Sequence, residues 1–106
     1  MTKERQPEGP KAVEADLLAA RVTVASHVRC TGDGEGYVLL DLERGLYHSI
    51  DGVSAVIWTG LLAGVPPRQT ATEISQLCNV PFERVGRDAS RFIQSLHAKG
   101  LVTIDV

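Results

Sequence analysis

A chain of 106 residues has material for one small domain, because two separate cores of half that length would each be marginal. Hydrophobic residues make up 43% and charged residues 23% of it, an ordinary globular balance that argues against a wholly disordered, fibrous or low-complexity chain. The formal net charge of −2 supplies no global positive field for nucleic acid or an anionic membrane, so binding of that kind would need a local patch.

Cys30 and Cys78 stand far apart, with no CxxC or Cys/His spacing, which argues against a zinc finger and against a disulfide framework. Residues 1–10 contain no apolar run like the core of a secretory signal, and no stretch approaches the roughly 18 apolar residues that span a bilayer. The expected home is the cytoplasm, with no membrane partner. So short a chain has little left for a deep pocket once its core is built, which puts a binding module ahead of an enzyme.

Residues 1–21 are polar at first and then Ala-rich, with few large apolar groups, and are read as a flexible N-terminal tail; residues 22–106 are the folded domain. Residues 22–29 alternate apolar and polar positions and are rich in β-branched side chains, the pattern of a strand. Gly32, Gly34 and Gly36 mark a turn, residues 37–42 read as a second strand, and residues 46–50 as a third. Only about three residues join the last two, so they form an antiparallel hairpin and the three make a meander. Asp51 is placed to cap a helix that begins near Val53 and ends before Pro66 and Pro67, with Trp58 on its core side. Thr70 or Thr72 caps a short second helix that Asn79 and Pro81 terminate. A third helix covers residues 81–99. On it Val85, Ala89, Phe92, Ile93 and Leu96 gather on one side, and Arg84, Arg87, Asp88, Arg91 and Ser95 on the other. Gly100 ends it, and residues 101–104 are a short closing strand.

This order predicts an α+β fold: a winged helix-turn-helix with an N-terminal three-stranded antiparallel sheet followed by three helices. The fold does not name the ligand. Arg84, Arg87 and Arg91 on one helix face suggest DNA, but Asp88 shares that face, Glu83 is beside it, and the strands carry Asp33, Glu35, Asp41 and Glu43, which would oppose phosphates. His27, His48 and His97 lie on separate elements without HxxH or HExxH spacing, so no metal site is expected. The glycines of the turn precede no helix, so they form no phosphate cradle. Trp58 is read as core and Tyr47 as a further core candidate. The strand 46–50, last in the meander, is an exposed edge able to accept a partner strand.

Three stretches then stand out together: residues 36–41 (GYVLLD), residues 45–51 (GLYHSID) and residues 55–58 (AVIW), followed by Asp88, Phe92, Leu96, Gly100 and Leu101. In combination they resemble the PqqD-like family of peptide-modification chaperones over about residues 22–102. The resemblance implies a recognition element, without catalysis or cofactor, for the leader segment of a ribosomally made precursor peptide. The general look of stand-alone members implies a lasso-peptide cluster, with a separate leader peptidase or other modifying enzyme as second partner and no nucleic acid. In such a domain the leader adds to the third strand beside the third helix. Carried over, Leu46, Tyr47, His48, Ser49 and Ile50 pair with it, Val38 and Leu40 or Leu46 and His48 form an apolar floor, and Arg84, Arg87, Asp88 and Arg91 flank it. The opposite helix flank, with Gly86, Ser90 and His97, remains open as an alternative, as does oligomeric state. The other function compatible with the fold is a DNA-binding transcriptional regulator.

Overall fold

A computed structural model of the protein describes residues 17–33 and 35–105. The first sixteen residues of the expected tail, and Gly34 in the expected glycine turn, lie outside the described residues. The expected α+β class holds. In chain order the elements are β1 (Arg21–Val24), β2 (Val28–Asp33), β3 (Gly36–Asp41), β4 (Leu46–Asp51), α1 (Gly52–Leu62), α2 (Pro67–Cys78), α3 (Phe82–Ala98) and β5 (Val102–Asp105).

Among the described residues the strands form two sheets. β2, β3 and β4 form an antiparallel sheet in that order, and β1 pairs antiparallel with β5 in a separate ribbon. The single strand expected over residues 22–29 is therefore two strands. Ala25, Ser26 and His27 break it: Ala25 donates its N–H to the Leu101 carbonyl at 3.0 Å and Val28 donates back to the Ala25 carbonyl at 3.1 Å. Alternation alone does not register such a corner, because the apolar period continues on both sides of it.

Leu17, Leu18 and Ala20 are buried, and both leucines pack in the main core. A Cβ at Gly86 would stand 3.2 Å from Leu18 Cδ1, so this segment lies against α3. The last residues of the expected tail thus belong to the packed domain.

In an antiparallel pair, directly opposed residues share a face. Tyr37 opposes Ile50, Leu39 opposes His48 and Asp41 opposes Leu46, and these point toward the helices, where Leu39 is fully buried. Val38, Leu40, Tyr47 and Ser49 share the other face. Tyr47, 72% exposed, is not core: its register puts it on the side away from the helices. Gly52, at φ 59, turns the chain from β4 directly into α1, a left-handed conformation that favours glycine. Asp51 occupies the N-cap position but its side chain makes no capping bond. Thr59 gives its hydroxyl proton to the Ala55 carbonyl at 2.9 Å, which leaves its oxygen to accept from Tyr37 Oη at 2.7 Å and ties sheet to helix.

Trp58, Ile57 and Leu39 are among the largest fully buried side chains, and Ile93 and Leu101 join them from α3 and the approach to β5. α2 starts earlier than expected, with Pro67 as its first residue, a favoured place for proline because its missing N–H would be unpaired there anyway. Thr70 and Thr72 accordingly lie inside the helix and cap nothing. Asn79, at φ 56, ends α2 in the left-handed conformation, and the Ser75 hydroxyl donates to the Val80 carbonyl at 2.6 Å across the turn into α3.

One buried charge fixes the β3–β4 turn. Asp41 is fully buried, its Oδ1 accepting from the N–H groups of Glu43 at 2.9 Å and Arg44 at 3.1 Å, and its Oδ2 from Arg44 Nη1 at 3.0 Å. His27 Nε2 stands 3.8 Å from the same carboxylate. Burial pushes the carboxyl up, but the Arg44 N–H, the Arg44 guanidinium and the Glu43 N–H together outweigh it and hold Asp41 below the usual carboxylate range.

A folded-state value lowered in this way contributes stability above the ordinary aspartate value of about 3.9, and that stability is lost as pH falls through the lower folded value. Urea melts across pH 7 to 2 are expected to show the gap between wild type and Asp41→Asn shrinking as the pH drops below that value. Packing gives a second prediction. A helix-interior Gly→Ala change normally stabilises by up to about 1 kcal/mol, but a Cβ at Gly60 would stand 2.5 Å from Thr70 Oγ1 on a buried, stiff β-branched side chain. Gly60→Ala is expected to lower stability by about 1–3 kcal/mol in a denaturant melt, and Thr70→Ala in the same chain to recover part of it.

Candidate functional site

β4 lies at the edge of its sheet, so its backbone N–H and C=O groups on the side away from β3 have no ladder partner in that sheet. Beside this edge stands the C-terminal half of α3, and an open groove of about 330 Å³ runs between them. His48, Ser49, Ile50 and Asp51 line it from β4, Phe92, Ser95, Leu96 and Lys99 from α3, and Ser54 from α1. Leu39 and Leu101 also line it and are fully buried, so they form its floor.

The local sequence explains this opening. Phe92, Ser95, Leu96 and Lys99 follow at i, i+3, i+4 and i+7, one row along a helix surface. The row runs where the buried stripe of α3 meets its exposed face, passing from apolar to polar. β4 brings His48 and Ile50 to the helix-facing side by the period of two. The result is an apolar base with hydroxyl, imidazole, carboxylate and ammonium groups around it. Six residues of strand extend about 20 Å, enough to pair with a short extended segment that sends alternate side chains onto the apolar base.

The expected site residues divide by face. His48, Ser49 and Ile50 line the groove. Leu46 shares the face of His48 and Ile50 through its pairing with Asp41, is half exposed, and lies outside the lining. Val38, Leu40 and Tyr47 sit on the opposite face of the sheet, so of the two floors considered from sequence, Val38 with Leu40 is not brought to the groove and His48 is. Arg84, Arg87, Asp88 and Arg91 are exposed on α3, but none lines the groove. On the alternative flank Gly86 and Ser90 are buried inside the domain, while His97 is exposed and lies outside the groove lining.

Sequence reasoning missed Phe92, Ser95, Leu96 and Lys99 as groove residues because it sorted α3 into a buried half and an exposed half. The signal that finds them is the boundary row between the two. It also missed Asp51, Ser54, Leu39 and Leu101, which the groove recruits through the β4–α1 corner and the register of β3.

At one end of the groove, Arg44 Nη1 donates to the Lys99 carbonyl at 3.0 Å as well as to Asp41, joining the β3–β4 turn to the end of α3. A larger hollow of about 990 Å³ lies between β1 and the α1–α2 connection. It contains none of the expected site residues, and its charged lining consists of Arg21 and Asp105, which oppose each other across the β1–β5 ribbon.

Comparison with known proteins bears on the site. Two solved structures share this fold. One, described as TbiB1 in complex with the TbiA(beta) leader peptide, is 29% identical, with a TM-score of 0.71 over 76% of this chain and 93% of that one. The other, a lasso peptide synthetase B1 complexed with the leader peptide, is 25% identical, with a TM-score of 0.73 over 79% of this chain and 99% of that one. Among curated proteins no sequence matches the chain. The family model for coenzyme PQQ synthesis protein D (PqqD) matches residues 36–102, a span that runs from β3 to the start of β5 and so contains both walls of the groove: the chain belongs to the PqqD family.

Proposed function

We propose that this protein binds the leader segment of a ribosomally synthesised precursor peptide in lasso-peptide biosynthesis, adding it as a strand to β4 and seating it in the groove against α3. The observation that carries the reading is the edge of β4, unpaired among the described residues, opening onto an apolar floor. Such an edge offers main-chain hydrogen bonds for affinity, and the floor offers purchase for alternate side chains, the two components of recognition by strand addition. The likeness to two proteins in complex with leader peptides, one of them a lasso peptide synthetase B1, supports the choice of ligand.

In this reading the domain is non-catalytic and works in the cytosol, holding the leader while a separate leader peptidase or other modifying enzyme acts on the remainder of the precursor. The corner from α2 through Asn79, Val80 and Pro81 into α3 is read as a helix-turn-helix, and the β2–β3 hairpin as its wing, in a fold turned to peptide binding. The exposed Arg84, Arg87 and Arg91 then serve as outer contacts for acidic leader residues, where exposed ion pairs contribute only about 0–1 kcal/mol each. The apolar groove and the strand pairing dominate affinity.

Strand addition has a signature of its own. In a peptide paired along one edge, alternate N–H groups face the receptor, so N-methylation along the leader is expected to weaken binding at every second residue of the paired segment. A loss of about tenfold, or 1.4 kcal/mol, per blocked bond is the expected scale. Ser49→Pro in β4 is expected to weaken binding at least as much in protein that remains folded by circular dichroism. N-methyl effects without a period of two, together with unchanged binding by folded Ser49→Pro, would contradict pairing along β4.

Charge supplies an independent check. If Arg87 is an outer contact, Arg87→Glu is expected to weaken leader binding by about two- to fivefold in isothermal titration at low salt, the scale of an exposed pair, and the loss is expected to shrink at high salt.

A further inference from the structure

The groove has two walls that come from different parts of the chain, and the hydrogen bonds of Arg44 run between them. Its backbone N–H and its Nη1 both reach Asp41, at 3.1 and 3.0 Å, and Nη1 also reaches the Lys99 carbonyl at 3.0 Å. The Asp41 end is well anchored, because that carboxylate is fully buried and further held by the Glu43 N–H. The Lys99 end is the last turn of α3, where carbonyls lack helical partners and carry the negative end of the helix dipole, a favourable place for a guanidinium.

Gly100 shows how closely the group fits. A Cβ there would stand 3.0 Å from Arg44 Nη1 and 3.3 Å from Nη2, so the guanidinium packs over a residue with no side chain, itself at φ 75. Lys99 and Leu101, on either side of Gly100, both line the groove. The residue that holds the Lys99 carbonyl therefore holds the backbone from which two groove side chains project.

We propose that Arg44 is a positioning residue: by bridging Asp41 to the Lys99 carbonyl it sets the spacing between β4 and the end of α3, and with it the size of leader side chain the groove accepts. The second clause rests on the leader-binding reading; the first does not. Arg44 itself need not touch the peptide. Its side chain is half exposed and absent from the groove lining, so its effect passes through Lys99, Gly100 and Leu101. A planar fork suits this task because it can serve two acceptors in fixed directions.

The test uses the full chain with Arg44→Met, which keeps an aliphatic stem and removes the side-chain donors. The first readout needs no ligand. Leu101 donates its N–H to the Leu96 carbonyl at 2.9 Å, and its amide exchange is compared with that of Ile93 in the middle of α3. The proposal expects Leu101 to exchange about tenfold faster in the variant while Ile93 changes little, as for a local opening. Equal acceleration at both amides, or none at either, overturns it.

The second readout uses the leader peptide of the precursor encoded nearest this protein's gene. It is paired with a version in which the apolar residue most sensitive to alanine replacement is enlarged to tryptophan. Wild type is expected to discriminate between the two, and Arg44→Met to discriminate about tenfold less, since a support loosened by a fraction of an ångström relaxes fit. General destabilisation would weaken both peptides alike and leave the ratio unchanged. An unchanged ratio in folded variant overturns the proposal. If wild type binds neither peptide, the leader-binding reading fails, and the exchange comparison still decides whether Arg44 sets the spacing.

Discussion

A groove on so small a domain stays open only if its walls are held apart by contacts outside it. Here one wall is the last strand of a sheet and the other is the end of a helix more than forty residues later in the chain. The buried Asp41 carboxylate lies behind that separation. It is charged, fully enclosed and satisfied by two backbone N–H groups and the Arg44 guanidinium, so the turn that carries it has little freedom. From this turn β4 departs, and through Arg44 the same turn reaches the Lys99 carbonyl. At the other end of β4, Gly52 at φ 59 directs the chain into α1, whose Trp58 and Ile57 fill the core beneath.

Much of this was legible in the sequence. The apolar run over residues 37–42 locates β3, the short connection makes β4 its neighbour, and the apolar stripe of α3 identifies Val85, Ala89, Ile93 and Leu96 as buried. These features are set by local sequence and backbone geometry, so they survive without tertiary information. The break at Ala25 to His27 was not legible, because its cause is a hydrogen bond to Leu101, a residue at the far end of the chain. The start of α2 was obscured by expecting a threonine cap where a proline opens the helix.

The candidate site was legible in one half only. A terminal strand in a meander is an edge by topology, and the sequence points to residues 46–50 without further help, of which His48, Ser49 and Ile50 line the groove. The helix side depends on how α3 is rolled about its axis, and that roll is set by its neighbours. Gly86, with no side chain, lets Leu18 approach, while Leu96 and Phe92 turn toward Leu39 and Leu101 at the groove. The arginines drew attention because charge runs are conspicuous, yet the groove wall is formed by a less conspicuous row of phenylalanine, serine, leucine and lysine.

The central claim is that an apolar groove and a strand edge, and not a charged helix face, bind the partner. Phosphate binding weakens log-linearly and steeply with salt, whereas strand pairing over an apolar floor changes little. The most direct measurement is therefore the affinity of the purified chain for the leader segment of the precursor encoded nearest its gene, at low and high salt, with duplex DNA from the same locus as control. The account predicts micromolar or tighter peptide binding with little salt dependence, and no DNA binding. Salt-sensitive binding to the duplex without binding to the peptide would contradict it and move the site to the arginine face of α3.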